Sequence, residues 1–239
     1  MSTHINELKE YLNASFLDKK VRVRGFVPED HHSVPEMVSI GPHFSNLSLP
    51  IDDNVKIQLA SFLIWSSYRP VSFDSYKAAI EDILEEGMQF YSETSPSNWT
   101  GESTEEIRSS TEEIEEIRSS TEEIRSRFRS MFLLDGCFIV YLIDALCNGD
   151  ESGGRFFGII SAKKCYRDLC LLLNQIPFVV VQKLLWVRLY GSKSNSPDVM
   201  IKVHQHLAAF CRYIISGYRV RTLKRLICLI LVLLVLPIS

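Results

Sequence analysis

The chain has 239 residues, 46% of them hydrophobic and 23% charged. That composition supports one sizeable hydrophobic core and excludes a wholly disordered protein. A net charge of −3 and a pI near 6.1 supply no concentrated positive field, so nucleic-acid binding is not expected. The six cysteines contain no C-x-x-C pair and lie mostly within apolar runs, which predicts reduced core thiols rather than a disulfide framework or a zinc site.

Met1 to Glu10 is polar and charged, unlike a cleaved secretory signal, and favours a cytosolic start. Ile5, Leu8 and Leu12 have the spacing of a short amphipathic helix, and Val21 to Arg24 alternates as a short strand does. From Gly25 to Pro50 the chain carries Pro28, Pro35, Pro42 and Pro50, which predicts an extended, loop-rich segment. Asp52 or Asp53 is placed to cap a helix over about 54–67, with Val55, Leu59, Phe62 and Leu63 largely on one face. Asp74 is placed to cap a second, in which Tyr76, Ala79, Ile80, Ile83, Leu84 and Tyr91 recur at helical intervals, and a linker follows from Thr94 to Gly101.

An internal repeat comes next: STEEIR at 103–108, SSTEEIEEIR at 109–118 and SSTEEIR at 119–125. Ile107, Ile114, Ile117, Ile124, Phe128 and Met131 fall at a and d heptad positions. Two readings stand: a short coiled-coil or partner-docking helix, and a low-complexity insertion whose solvated helix is sustained by Glu–Arg pairs. Phe128 to Leu146 is apolar on more than one face and predicts the central core helix. Asp135 and Gly136 in its interior are costly, which points to a close packing contact, or to a local break with Asp135 bonding backbone.

Asp168 to Leu185, DLCLLLNQIPFVVVQKLL, reads as a helix buried on most sides, with Leu169, Leu172, Leu173, Ile176, Val180 and Leu184 at helical spacing. Pro177 has no N–H to give the Leu173 carbonyl, so it must bend or break the helix; a kinked core helix with the amides of Asn174 and Gln175 as its polar repair is the reading adopted. After a polar loop at 191–197, Met200, Val203, Leu207, Phe210 and Ile214 define a further amphipathic helix. Between Arg155 and Arg225 the chain holds thirteen Lys or Arg against Asp168 and Asp198, a basic half suited to a membrane or an acidic partner. The uninterrupted apolar run 226–236 follows Arg219, Arg221, Lys224 and Arg225. Basic residues then apolar residues is the pattern of a membrane anchor, although the run is shorter than the roughly 20 residues of a spanning helix.

Three segments carry a resemblance. Val38 to Pro42 (VSIGP), Met131 to Phe138 (MFLLDGCF) and the N-Q-I-P-F of Asn174 to Phe178 within its leucine-rich run resemble, in order, the motifs of the plant domain-of-unknown-function 247 family, also called uncharacterised protein family 0481. The chain looks like a divergent or truncated member. After the first motif it reads His43-Phe44-Ser45-Asn46 where the family usually has a histidine pair and a glycine, so no role of that pair is carried over. The resemblance implies no established activity. It implies a hydrophobic transmembrane segment near the C-terminus, and some members of the resembled family are linked to self-incompatibility recognition in grasses.

No Walker loop, GxGxxG, GxSxG, HExxH or Cys/His zinc pattern is present. His31-His32 and His204-x-His206 are the local histidine clusters, and neither has metal-ligand spacing; Asp135 and Cys137 lie two apart in an apolar helix without a recognisable base. The expectation is therefore a mainly α protein: an irregular helical domain with a Pro-rich N-terminal loop region and a C-terminal hydrophobic helix. Its parts are an N-terminal helix and short strand (1–33), a family-like helical domain (34–190) with an insertion at 102–127, an amphipathic helix and basic linker (191–225), and a hydrophobic tail (226–239) as membrane anchor. The expected function is non-enzymatic and works through a protein partner at a membrane, with the N-terminal part cytosolic; no catalytic, cofactor-binding or metal residue is assigned, and no cofactor, nucleic acid or small-molecule ligand is implied. The alternatives are a cytoplasmic protein, an enzyme of unfamiliar type with a site around Asp135, Asn174 and Gln175, and a truncated gene product without independent function.

Overall fold

A computed structural model describes residues 2–12, 34–42, 44–45, 47–65, 71–91, 111–147, 164–171, 174–191 and 197–217. They are mainly helical and contain no strand. The named helices are α1 (Ser2–Leu12), α2 (Asp53–Trp65), α3 (Phe73–Gln89), α4 (Thr111–Cys147), α5 (Phe178–Tyr190) and α6 (Pro197–Gly217), with a short helical segment at 164–169.

Local signals explain the starts. The Asp52 carboxylate accepts from the Val55 backbone N–H at 2.9 Å and caps α2. For α3 the expected Asp74 cap is corrected: Ser72 is the N-cap, and its hydroxyl accepts from the Ser75 N–H at 3.3 Å. A hydroxyl at the position before the first helical residue reaches that amide, whereas Asp74 already lies within the first turn, where its charge favours the helix dipole.

The hub is α4, which packs against α2, α3, α5 and α6. Phe128, Phe132, Leu133, Phe138, Val140 and Ile143 are buried along it. Its 37 residues are continuous, so the later repeat copies and the predicted core helix form one element of about 55 Å. Gly136 leaves that helix unbroken. A Cβ there would lie 2.4 Å from Leu184 Cδ1 and 3.1 Å from Val180 Cγ1 of α5, so the glycine permits the close helix approach anticipated from the sequence. Arg188 of α5 ties three helices, donating to Asp144 of α4 at 2.8 and 3.1 Å and to the Leu63 carbonyl of α2 at 3.0 Å.

Of the bend or break expected at Pro177 the structure has the break, which corrects the kinked-helix reading of 168–185. Helix 164–169 ends in a turn, residues 174–177 are non-helical, and α5 begins at Phe178 with Pro177 as its N-cap at φ −54°, ψ 136°. Proline there gives up no intrahelical bond and drives the residue before it towards extended backbone, so the sequence breaks rather than bends. Leu172 and Leu173 lie outside the described residues. So do the expected strand at 21–24, the His31-His32 pair, the first repeat copy and the 226–239 tail. Among the described residues no helix is long and apolar enough to cross a membrane.

Candidate functional site

The most elaborate polar arrangement surrounds an extended segment, 34–42, whose neighbours are helices. A chain without a sheet partner must still satisfy its N–H and C=O groups when buried. Val38 and Ile40 are fully buried here. Among the described residues it shares one backbone partner outside the segment: Ile51 N–H donates to the Met37 carbonyl at 2.9 Å, within an isolated parallel bridge between Val38 and Ile51. Side chains from distant elements supply further partners.

Asp168, at the end of helix 164–169, accepts from the backbone N–H groups of Glu36 (3.1 Å to each oxygen), Met37 (2.6 Å) and Val38 (3.1 Å). Arg167 beside it donates to Asp168 at 2.9 and 3.2 Å, to the Val34 carbonyl at 3.2 Å, and to the Glu36 carboxylate. Lys164 also pairs with Glu36, at 3.3 Å. Asn174 uses both ends of its amide: Oδ1 accepts from Ile40 N–H at 2.6 Å, and Nδ2 donates to the carbonyls of Val38 and Asp168, both at 3.0 Å. Its role differs from the expected repair of a proline kink, because the chain is non-helical at Asn174 and its amide is committed to the extended segment and the end of helix 164–169.

Asp135 completes the arrangement from α4. Its Oδ2 accepts from Gly41 N–H at 2.8 Å, and its Oδ1 meets Lys56 Nζ of α2 at 2.5 Å. Lys56 also donates to the Ser39 carbonyl at 2.6 Å and lies 3.8 Å from Asp53. Burial pushes the Asp135 carboxyl above the ordinary aspartate range, against the opposing pull of the Lys56 charge and of hydrogen bonds from Lys56 and Gly41. Gly41 itself has φ +71°, and a Cβ there would sit 2.3 Å from the Gln175 carbonyl oxygen. That carbonyl accepts from the Tyr91 hydroxyl at 3.1 Å. Burial raises the Tyr91 phenol well above its usual value.

The three sequence motifs thus meet at one place. VSIGP is the held segment, Asp135 and Gly136 belong to the central motif, and Asp168 and Asn174 belong to the third. Asp135, Asp168 and Asn174 are 3%, 0% and 0% exposed, and their oxygens face backbone amides, Lys56 and Arg167 rather than solvent. Of the sequence candidates, Asp135 and Asn174 come together on adjacent residues, Ile40 and Gly41, whereas Gln175 joins through its backbone. Cys137 is buried away from solvent, which pushes its thiol up to about 12. His206 Nδ1 lies 2.8 Å from the Lys202 carbonyl within α6. Among the described residues no cluster of three or more His, Cys, Asp or Glu side chains could hold a metal.

A family model described as a plant protein of unknown function, DUF247, matches residues 20–222. The chain belongs to this family. Comparison with curated proteins and with solved structures found no match. The match spans every residue of the clamp, so the DUF247 motifs of this chain are the parts that hold segment 34–42 against its helices.

Lys56, Arg167, Asp168 and Tyr91 were not singled out as site residues from the sequence. Lys56 had a usable signal: Ile57, Leu59, Ala60, Leu63 and Ile64 around it are buried, and a lysine in a helix apolar on most sides needs a partner. Asp168 had the same signal, standing at the head of a leucine run.

Proposed function

We propose that this plant protein is non-enzymatic and works through protein contacts at a membrane, with the 226–239 tail as its attachment and the N-terminal part in the cytosol. One observation carries the non-enzymatic part: the polar side chains shared by the three motifs are spent on the backbone of segment 34–42, buried and bonded on both oxygens of each carboxylate. A catalytic carboxylate has to be open to substrate or water, and these are buried and committed to donors of the chain itself. The motifs are then signatures of how the domain is assembled, which leaves the surface as the working part.

The attachment rests on the sequence of the tail, an apolar run behind Arg219, Arg221, Lys224 and Arg225. Part of the remaining positive charge is committed internally: Arg167 to Asp168 and Glu36, Lys183 to Asp82, and Arg188 to Asp144. The basic group next to the tail is the one that would meet anionic headgroups. Fractionation of tagged full-length protein from plant cells tests the attachment. The expected outcome is recovery in the membrane pellet that resists carbonate and yields to detergent; recovery in the soluble fraction without either overturns it and leaves the cytoplasmic reading.

A further inference from the structure

The start of α4 outruns its neighbours. Arg125 pairs with Glu85 and Arg129 with Glu81, so one turn back along α3 is one turn forward along α4 and the two helices are antiparallel. On that alignment Gln89, the last residue of α3, comes about level with Thr121. Helix α1 ends beside Ser130, whose hydroxyl donates to the Leu12 carbonyl at 3.3 Å. Helices α2 and α5 run the same way as α4: Lys56 meets Asp135 and Phe62 meets Tyr141, while Val180 and Leu184 lie beside Gly136 and Arg188 meets Asp144. Both therefore begin near the level of Phe132. Residues 111–120, about 15 Å of helix, extend past the ends of all four, and Thr121 and Glu122 are already exposed.

The overhang continues a stripe that the core already uses. Phe128 and Met131, at heptad positions a and d, are buried, and Ile124 before them is partly buried against the same core. Just after α3, Tyr91 covers the stripe with its ring 5.6 Å from that of Phe128. Further back the sequence carries the stripe on, its a and d positions reading Ile107, Ser110, Ile114, Ile117, Thr121, Ile124. That string has the same pattern from either end: apolar, polar, apolar, apolar, polar, apolar. Laid antiparallel on a second copy it matches itself, with Ile114 opposite Ile117 of the second copy and Thr121 opposite its Ser110. The same register sets Glu113 opposite Ser120 and Arg118 opposite Thr111 at the flanking g and e positions, so no like charges face each other there. It also fits the space, because Thr111 of the second copy falls opposite Ser120, just short of the level that α3 reaches. A parallel copy would run on past Thr121 into the place that α3 and Tyr91 hold.

We propose that the start of α4, residues 111–124, is a self-association site, and that its occupant is the same stretch of a second copy of this chain, antiparallel, with Ile114 and Ile117 at the centre of the seam. A helix of about ten residues is marginal alone in water, so a matching helix stabilises both overhangs at once. The polar layer fixes the register: a slip of one heptad sets isoleucine against a hydroxyl. The repeat is then an interaction element, and the pairing does not depend on the membrane attachment proposed above.

The test uses purified full-length protein in a mild detergent, followed by sedimentation velocity over a concentration series. The protein mass is expected to rise from that of one chain to that of two as concentration increases. Full-length I114D/I117D is expected to stay at one chain while keeping the thermal transition of the unaltered protein at low concentration, because the two positions lie beyond the packed helices. Orientation is read by oxidising a one-to-one mixture of Ile114→Cys and Ile117→Cys proteins and mapping the joined peptides by mass spectrometry. The two variants are expected to be joined to each other at the substituted positions rather than each to itself. The proposal is overturned if the unaltered chain stays single throughout, if I114D/I117D pairs as well as the unaltered chain does, if I114D/I117D loses its thermal transition, or if each cysteine variant is joined only to itself, as parallel pairing requires. None of these failures touches the tissue fractionation result.

Discussion

Two polar regions of this molecule use similar side chains for different ends. Around segment 34–42, Asp168, Asn174 and Asp135 are buried and reach across 94 or more residues of chain to bind its backbone, and the buried Lys56 joins Asp135 to the Ser39 carbonyl. Between α3 and α4, Arg125 pairs with Glu85 and Arg129 with Glu81, with the carboxylates largely exposed. The first arrangement replaces a sheet: it supplies the hydrogen bonds that an extended segment packed among helices cannot obtain from a neighbouring strand. The second decorates a helix crossing that apolar contacts such as Tyr91 with Phe128 already hold. Position therefore decides what a charge is worth, since a buried acceptor removed leaves its donors unpaired, whereas an exposed one is replaced by water.

The largest expected effect follows from removing the busiest acceptor. Asp168→Ala leaves the amides of Glu36, Met37 and Val38 without that partner, together with both bonds that Arg167 gives it. A loss of about 3 to 5 kcal/mol is expected, as for a buried charge pair broken on one side. Against the roughly 5 to 15 kcal/mol of a typical domain, that brings the protein close to unfolding. Asp168→Asn keeps one acceptor oxygen and is expected to lose less, about 1 to 3 kcal/mol. Urea midpoints of the two variants check this; equal midpoints with the unaltered protein would remove the basis for calling the region a clamp.

Gly41→Ala comes next. The positive φ alone costs an L-residue about 1 to 2 kcal/mol, and the added Cβ meets a backbone oxygen, which cannot swing aside as a side-chain tip does. The expected result is a lower thermal midpoint with the peptide bond to Pro42 and the Asp135 contact disturbed, read as lost protection of the Gly41 amide in hydrogen exchange. An unchanged midpoint with full protection would mean that the segment is free to shift, contrary to a fixed clamp.

How much of this was readable in advance depended on range. Helical periodicity located α1, α2, α3, α4 and α6 because each reports a local alternation of buried and exposed faces: Leu8 with Leu12, Ile80 with Leu84, Val203 with Leu207. It was least decisive over 168–185, where apolar residues at helical spacing are divided between the end of helix 164–169, a non-helical stretch at 174–177 and α5. There Pro177 and Asn174 were the better guide, the one unable to continue a helix and the other able to bond backbone elsewhere. The three motifs were visible as strings, but their convergence was not, because nothing local in Asp135 states that its partners are Gly41 and Lys56. Asp135 and Gly136 come closest to an exception. An acidic residue and a glycine inside a core helix predicted either a close contact or a local break with a backbone bond, and α4 has the contact and the bond without the break.

The exposed ladder between α3 and α4 should yield smaller numbers. Arg125→Ala and Arg129→Ala are each expected to cost about 0.2 to 1 kcal/mol, the range of solvent-facing ion pairs. The effect should shrink as salt is added, because screening acts on charges open to solvent. The Asp168→Ala loss should hold nearly constant over the same salt series. Denaturation of all three variants at low and high sodium chloride checks the contrast; parallel salt dependence would mean that the two regions differ in degree only.

Glu36 is where the two kinds of region touch, and it gives the smallest and most specific prediction. Its backbone N–H belongs to the clamp, donating to Asp168, while its side chain is outside, bonded to Arg167 and Lys164. Hydrogen bonds from Arg167 and then Lys164 hold its carboxyl below the usual value of 4.5. A carboxylate with a depressed folded-state pKa adds stability that is present above the unfolded value and is lost as pH falls through the folded one. Glu36→Gln should therefore change little at neutral pH beyond a small loss, and should flatten the acid limb of the stability profile below about pH 4.5, where the normal side chain would be taking up its proton. The amide keeps the backbone contact to Asp168, so any larger drop at neutral pH would show that the exposed pair and the buried clamp act as one unit rather than two.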